Sequence, residues 1–326
     1  VKAETEAAQP APRRHGRPAR HWLEYAAARF LGGVLRWMPR GGVEAIGRLI
    51  GSLSYFVFRS RREVALKNLD LAFGDSMSQE EKQRVVRKAF SNFGYWFLDF
   101  LTYDALPPEK LAARIRLTSP ARAVFQEAFS RGKGVLFLLS HFGNWELMGL
   151  YFGLDSLFEA AVVAKALHNE RIDRWVNRIR SCTGNTVIYA DQASVKIVRT
   201  LKKNHGVAIV FDQDTSLRHG GVYSKFFGQG CVTHRSVATL HLATGAPILS
   251  AHCLPLPGGC FEVHAELVEE FEPSGDREED VQRLTQRCNE VIEKYIRRNP
   301  ENYFWLHKRW KHRPPGCPPV YEAPSR

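Results

Sequence analysis

The sequence predicts an α/β protein: a mixed, mostly parallel central sheet flanked by helices, preceded by amphipathic, membrane-associated helices. Three observations predict it. From residue 134 onward, short apolar runs alternate with helical runs, the pattern of strands joined by crossover helices. The run Val135–Leu139 is wholly apolar and stops on the polar turn Ser140-His-Phe-Gly-Asn144, as a buried strand does. Two long apolar segments, each interrupted by charge, lie before residue 60.

Residues 1–20 carry Pro10, Pro12 and Pro18 among Arg13, Arg14, His15, Arg17 and Arg20. No apolar face can form there, which predicts a disordered basic arm; no apolar run with a cleavage pattern marks a secretory signal. Residues 21–60 are read as a membrane-associated helical segment. Trp22–Met38 carries Glu24, Arg29 and Arg36 among aromatic and aliphatic residues, and Val43–Phe58 carries Glu44 and Arg48. Neither offers the roughly 18 uninterrupted apolar residues of a membrane span. Both suit amphipathic helices lying in a bilayer interface, with Trp22, Tyr25 and Trp37 at headgroup level. Arg59, Arg61 and Arg62 then sit where anionic lipid would be. A helical pair packed on the core is the plainer alternative.

Ser78-x-x-Glu81 is a capping box, and Val85, Val86, Phe90, Phe93, Phe97, Leu98 and Leu101 continue from it with a helical period. Core packing accounts for most of these rings. Beyond residue 134, strands are predicted at Val135–Leu139, Ala161–Ala166, Thr186–Tyr189, Val207–Phe211, Pro247–His252 and Phe261–Leu267. Helices are predicted at Trp145–Phe152, Arg171–Arg180, Ala193–Lys202, His234–Ala243 and Glu279–Arg298, with Gly245 closing the fourth and Pro300 following the fifth. The last strands can be antiparallel. No internal repeat is present.

The charge balance narrows the partners. Lys and Arg number 46 against 34 Asp and Glu, a net +12, which favours nucleic acid, anionic lipid headgroups or an acidic carrier protein. Six cysteines are scattered without CxxC or other metal-ligand spacing, which points to a reducing compartment and against a metal site.

Four constellations carry chemical potential. The first is His141 with Glu146, at the end of a buried strand. Acyl transfer to a hydroxyl needs a base, and a carboxylate at the second ring nitrogen would fix its tautomer. Asn144 and the Gly143 region, at a helix start, could position a carbonyl. The second is Asp212-Gln-Asp214, which also ends a buried strand. If the two strands are neighbours, Asp212 rivals Glu146 as the partner of His141; a turn carboxylate is the bland reading. The third is the glycine- and aromatic-rich stretch 220–235 with Lys225, Thr233 and Arg235, which a hairpin also explains. The fourth is Tyr303–Pro314, where aromatics interleave with Lys308, Arg309 and Lys311. That composition fits an anionic surface, whether nucleic acid or phosphorylated lipid.

Together these motifs resemble the bacterial lipid A late acyltransferase family, of the lysophospholipid acyltransferase-like superfamily. The matching segments are Arg62-x-x-Val-x-x-Asn68-Leu, Ser140-His-Phe-Gly-Asn-Trp-Glu146, Asp212-Gln-Asp214, Gly221-Val-x-x-x-Phe-Phe-Gly228, Thr233, Leu242-Ala-x-x-Gly-Ala-Pro247 and Trp305-x-His-x-Arg-Trp-Lys311-x-Arg-Pro314. The resemblance implies an acyltransferase domain over 61–314, followed by a loose Pro-rich tail over 315–326. It implies transfer of a fatty acyl chain from acyl carrier protein, or from CoA, to a hydroxyl of a membrane glycolipid such as a lipid A precursor. The place implied is the cytoplasmic face of the bacterial inner membrane. It implies His141 and Glu146 as the catalytic motif, Asp212 and Asp214 in support, no metal or other cofactor, and no nucleic acid partner. The chain departs from the family where an arginine usually follows the strand near residue 188; Tyr189-Ala-Asp-Gln192 stands there instead. Arg174, Arg178, Lys196 or Lys225 could supply that anion contact. A lysophospholipid or aminolipid acceptor is the alternative.

Two other classes stay in view. A non-catalytic protein binding anionic lipid or nucleic acid would keep the basic tail but needs no carboxylates at 146, 212 and 214. A serine hydrolase would need a Gly-x-Ser-x-Gly elbow, which the sequence lacks.

Overall fold

The computed structural model describes residues 18–154, 159–268 and 271–321. It opens with α1 (Pro18–Arg36), α2 (Arg40–Val57), α3 (Arg59–Phe73) and α4 (Gln79–Phe100). Then follow α5 (Pro108–Ala112), β1 (Ile115–Leu117), α6 (Ser119–Ser130), β2 (Val135–Leu139), α7 (Trp145–Leu154), β3 (Ala160–Ala164), α8 (Glu170–Arg180) and β4 (Thr186–Tyr189). The chain continues through α9 (Ala193–Lys202), β5 (Gly206–Val210), the hairpin β6 (Gly221–Phe226) and β7 (Gln229–His234), α10 (Ser236–Thr244), β8 (Ile248–Leu256), β9 (Cys260–Leu267) and α11 (Arg277–Arg298). The capping box at Ser78 and Glu81 starts α4 as expected.

Seven strands form one sheet in the order β1-β9-β8-β2-β5-β3-β4. All neighbours are parallel except β8 and β9, which pair antiparallel. The predicted strands and helices are present, with some ends moved by a few residues. The sequence reading gave no element at α3, α5, β1 or α6. β1 is three residues long on a sheet edge, too short to show a period. Strand β8 runs on to Leu256 through Pro255.

β2 lies in the middle of the sheet, and its alternate residues feed two cores. Leu136 and Leu138 face one cluster with Leu284, Ile292 and Ile296 of α11; Val135, Phe137 and Leu139 face another with Phe125 of α6 and Phe152 of α7. This double burial explains the unbroken apolar run that marked the strand.

The N-terminal helices pack by glycine. A Cβ on Gly47 would lie 2.5 Å from Tyr95 Cα, and one on Gly51 would lie 2.2 Å from Phe90 O. Gly94 meets the pair from α4 at similarly short range, so backbones touch where side chains would not fit. The opposite face of α2 exposes Ile46, Leu49, Ile50, Leu53, Phe56 and Val57. No helix among the described residues is long and apolar enough to cross a membrane.

Two boundaries need correction. Residues 1–17 of the basic arm lie outside the described residues, while Pro18, Ala19 and Arg20 form the first turn of α1. Residues 322–326 also lie outside them, but the preceding part of the tail is anchored. The Tyr321 hydroxyl donates to Asn68 Oδ1 at 2.5 Å and accepts from Trp310 N at 3.2 Å. Asn68 in turn donates to Trp305 O and His307 O, both at 2.7 Å, so α3 clamps the C-terminal segment.

Candidate active site

The turn after β2 is held on three sides. Gly143 N donates to Asn302 O at 2.8 Å, and Phe304 N donates to His141 O at 2.9 Å. Gly143 has φ +59, and a Cβ there would lie 1.7 Å from Cys253 O of β8, so only glycine fits. Asn144 caps α7: its Oδ1 accepts from Leu147 N at 3.1 Å, and its Nδ2 donates to the Tyr103 hydroxyl at 2.7 Å. Tyr103 donates to Asp99 Oδ2 at 2.8 Å, and Asp99 is paired with the buried Arg114. The turn therefore rests on a buried polar network, not on solvent.

His141 and Asp212 meet at the C-terminal edge of the sheet. Leu139 of β2 and Val210 of β5 are register partners, and two residues beyond each the chains present the histidine and the aspartate side by side. His141 Nδ1 lies 2.9 Å from Asp212 Oδ1, and His141 N donates to the same oxygen at 3.1 Å. Asp212 is 2% exposed. Burial pushes its carboxyl up, but the His141 charge and the hydrogen bonds from His141 more than offset this and hold it below the ordinary aspartate value. An ionised carboxylate only accepts, so Nδ1 carries the ring proton and Nε2 of the neutral ring carries a lone pair. The buried Tyr303 hydroxyl faces the same carboxylate; burial, then the Asp212 charge, keep it protonated well above a tyrosine's usual range.

Of the two carboxylates the sequence offered as partners, Glu146 makes no bond to the histidine. Both of its oxygens are taken by Arg180 of α8, which donates from Nε at 2.9 Å and from a terminal nitrogen at 2.6 Å. As the second residue of α7, Glu146 projects sideways toward α8. Burial works against the charge of Arg180, but the Glu146 carboxylate more than compensates and holds the guanidinium charged.

A cavity of about 390 Å³ opens beside His141, between α7 and the C-terminal ends of β2, β3 and β5. That is the usual ligand position in an open α/β sheet. Leu139, Leu150, Val162, Val163 and Val210 make part of its wall apolar, while Glu146, Arg180 and Lys165 make another part ionic. The Trp145 ring stands 5.1 Å from the His141 ring, edge to face, and Phe304 stands 6.0 Å away. Gln213 reaches His141 Nε2 from the cavity side at 3.2 Å.

Residues 12–312 match the family described as bacterial lipid A biosynthesis acyltransferases. The chain belongs to this family. It is an O-acyltransferase. Similar proteins include the lipid A biosynthesis palmitoleoyltransferase of Escherichia coli K12, 26% identical over 310 residues that cover 93% of this chain and 95% of that protein. The lipid A biosynthesis lauroyltransferase of the same organism is 24% identical over 302 residues, again 93% and 95% of the two chains. A phosphatidylinositol mannoside acyltransferase of Mycolicibacterium smegmatis is 26% identical over 188 residues, 56% of this chain and 59% of that one.

Several residues read from sequence as substrate contacts serve the acyltransferase fold instead. Asn144 is 2% exposed and spent on the helix cap and Tyr103. Asp214 Oδ2 pairs with His312 Nδ1 at 2.7 Å, its Oδ1 accepts from His312 N at 3.0 Å, and its own N donates to His307 Nε2 at 3.0 Å. Thr233 is fully buried, accepting from Arg309 at 2.6 Å and Asn289 at 3.2 Å. Arg309 is buried too, with a second bond to Val232 O and its guanidinium over Phe226. Arg174 and Lys225 are exposed on α8 and β6, and neither lines the cavity. Lys308 lies over the Tyr321 ring and Lys311 is exposed, both also away from the cavity wall. Arg309 and Thr233 make their bonds within the protein, and such buried residues look like ligand contacts in sequence.

The cavity's cations are Arg180 and Lys165, which the sequence reading passed over. Arg180 stands in the last turn of α8, where a cation is common for reasons of the helix dipole alone. Tyr189 packs its hydroxyl on Asp173 at 2.5 Å. Among the described residues no cluster of three or more His, Cys, Asp and Glu is placed to hold a metal ion.

Proposed function

We propose that this acyltransferase moves a fatty acyl chain from a thioester donor, acyl carrier protein or CoA, to a hydroxyl of a membrane glycolipid of the lipid A precursor type. His141 is the general base. The observation that carries this reading is the His141–Asp212 pair at the mouth of a cavity that is part apolar and part ionic. The acceptor O–H gives its proton to His141 Nε2 as its oxygen attacks the thioester carbonyl. Asp212 stabilises the imidazolium that forms. The C–S bond then breaks, and the leaving thiolate takes the proton from the ring. A base of this kind contributes about 10²–10⁴ in rate. The apolar wall suits an acyl chain, and Arg180 with Lys165 suits a phosphorylated headgroup.

The reaction takes place at the cytoplasmic face of the inner membrane, which the protein meets through its first two helices. Trp37 is 93% exposed and Phe30 76%, and the apolar face of α2 continues the surface. Arg59 and Arg61 are exposed at the start of α3, placed for anionic headgroups. Embedding α1 and α2 in the interface without crossing it would cover this face. The acidic carrier protein finds its charge complement in a chain of net charge +12.

The mycolicibacterial relative, named for phosphatidylinositol mannosides, favours keeping another glycolipid in view as acceptor; a lysophospholipid or an aminolipid is the remaining alternative. One experiment separates them. The protein is incubated with acyl carrier protein or CoA loaded with several chain lengths and with a panel of these acceptors. Mass spectrometry then reads which lipid gains which chain. Modification of the lipid A precursor is the expected result; modification of a lysophospholipid alone overturns the glycolipid reading, and no transfer to any acceptor overturns the whole.

A further inference from the structure

We propose that Gln213 gates the catalytic base: its carboxamide N–H occupies His141 Nε2 until the acceptor hydroxyl displaces it, so that the acyl donor is not lost to water. The proposal rests on the acyltransferase reading above.

Three observations place the gate. Nδ1 of His141 is committed to the Asp212 carboxylate, so Nε2 of the neutral ring can only accept. Gln213 Nε2 lies 3.2 Å from that nitrogen, and the amide NH₂ is the end of the side chain that can donate to it. Gln213 also lines the cavity beside His141, so its amide stands on the face from which a nucleophile reaches the base.

The two flanking aspartates make the gate possible. Asp212 is locked to His141 through both ring and backbone. Asp214 is locked to His312 and His307 through three bonds. The backbone on each side of Gln213 is therefore fixed, and only its side chain is free to swing. This gives Asp214 a purpose as an anchor, although it touches neither the base nor the cavity wall.

The balance of bonds shows why such a gate matters. Attack by the acceptor forms an ester and releases a thiol; the O–H proton reaches the thiolate by way of Nε2. Attack by water through the same atoms forms a carboxylic acid and the same thiol. Both nucleophiles must first displace Gln213, a donor held at high effective concentration. The glycolipid brings binding energy from its remote groups to do so, whereas water brings one hydrogen bond.

The test uses the full-length protein in three forms: wild type, Gln213→Ala and Gln213→Glu. The His141 ring is titrated by NMR in the absence of substrate. The groups facing it are Asp212, Tyr303, Gln213, His307 and the Glu146–Arg180 pair. A hydrogen bond donated to Nε2 favours the neutral ring, so its loss in Gln213→Ala raises the ring pKa, by up to about one pH unit. Gln213→Glu raises it further, because a carboxylate accepts from the protonated nitrogen, and transfer at neutral pH falls. Hydrolysis of the acyl donor without acceptor rises about tenfold in Gln213→Ala, and the ratio of transfer to hydrolysis falls. A structural role alone would move neither the titration nor this ratio. An unchanged ring titration, or unchanged hydrolysis, in Gln213→Ala overturns the gate. Absence of transfer by the wild type instead refutes the acyltransferase reading, and the titration still decides whether Gln213 caps the base.

Discussion

His141 Nδ1 lies 2.9 Å from Asp212 Oδ1 because Leu139 and Val210, two residues before each, are partners on adjacent parallel strands. The His141–Asp212 pair is thus a product of sheet register. Asp212→Asn keeps the shape and removes the charge that stabilises the imidazolium. Transfer should fall about 10²–10⁴ while circular dichroism stays that of the wild type. Loss of under threefold would show that the carboxylate has no part in the chemistry.

The same pair gives an acid-stability signature. Asp212 titrates below the ordinary aspartate value of 3.8 because the charge of His141 and the hydrogen bonds it donates outweigh the burial that pushes the carboxyl up. In the interval between the folded and ordinary values the unfolded chain binds the proton and the folded chain does not, so stability rises with pH there. The contribution is complete above about 3.8 and disappears as pH falls through the lower folded value. Urea unfolding of wild type and Asp212→Asn should therefore differ near neutrality and converge in strong acid. A gap that widens on acidification would reverse the assignment.

Glu146→Gln separates the two carboxylates. It breaks the bidentate pair with Arg180 without touching the His141–Asp212 bond. Transfer should drop about tenfold through the disturbed ionic wall. The acid limb of the kcat/KM profile should stay in place, whereas Asp212→Asn should move it to lower pH. A moved limb in Glu146→Gln would return Glu146 to the histidine.

Cavity depth can be tested at Gly149 of α7. A Cβ there meets only Val162 Cγ2, at 3.8 Å, in ordinary contact. Gly149→Ala should therefore fold, and Gly149→Leu, with folding checked by thermal unfolding, should fill apolar space in the cavity. Donors with long acyl chains should lose turnover more than short ones, read as kcat/KM across chain lengths. An unchanged length profile would place the acyl chain elsewhere.

Much of the fold was legible because the double-sided burial of β2 and β5 leaves unbroken apolar runs, and because Ser78 and Glu81 cap a long period. The candidate site was legible as two strand ends carrying His141 and Asp212. Their pairing was not, since it depends on which strands are neighbours, and Glu146 is nearer in sequence. Gln213 was visible only as the middle of Asp212-Gln-Asp214, and Arg180 only as the end of a predicted helix. Asn144, Asp214, Thr233 and Arg309 read as ligand contacts because a polar residue at a turn gives no sign of whether the protein itself will satisfy it.

The most direct measurement is acyl transfer by His141→Ala, with product detected by mass spectrometry and folding checked by thermal unfolding. The account predicts a folded protein whose transfer falls by about 10²–10⁴ against wild type. A folded His141→Ala protein that acylates its acceptor at the wild-type rate would contradict it.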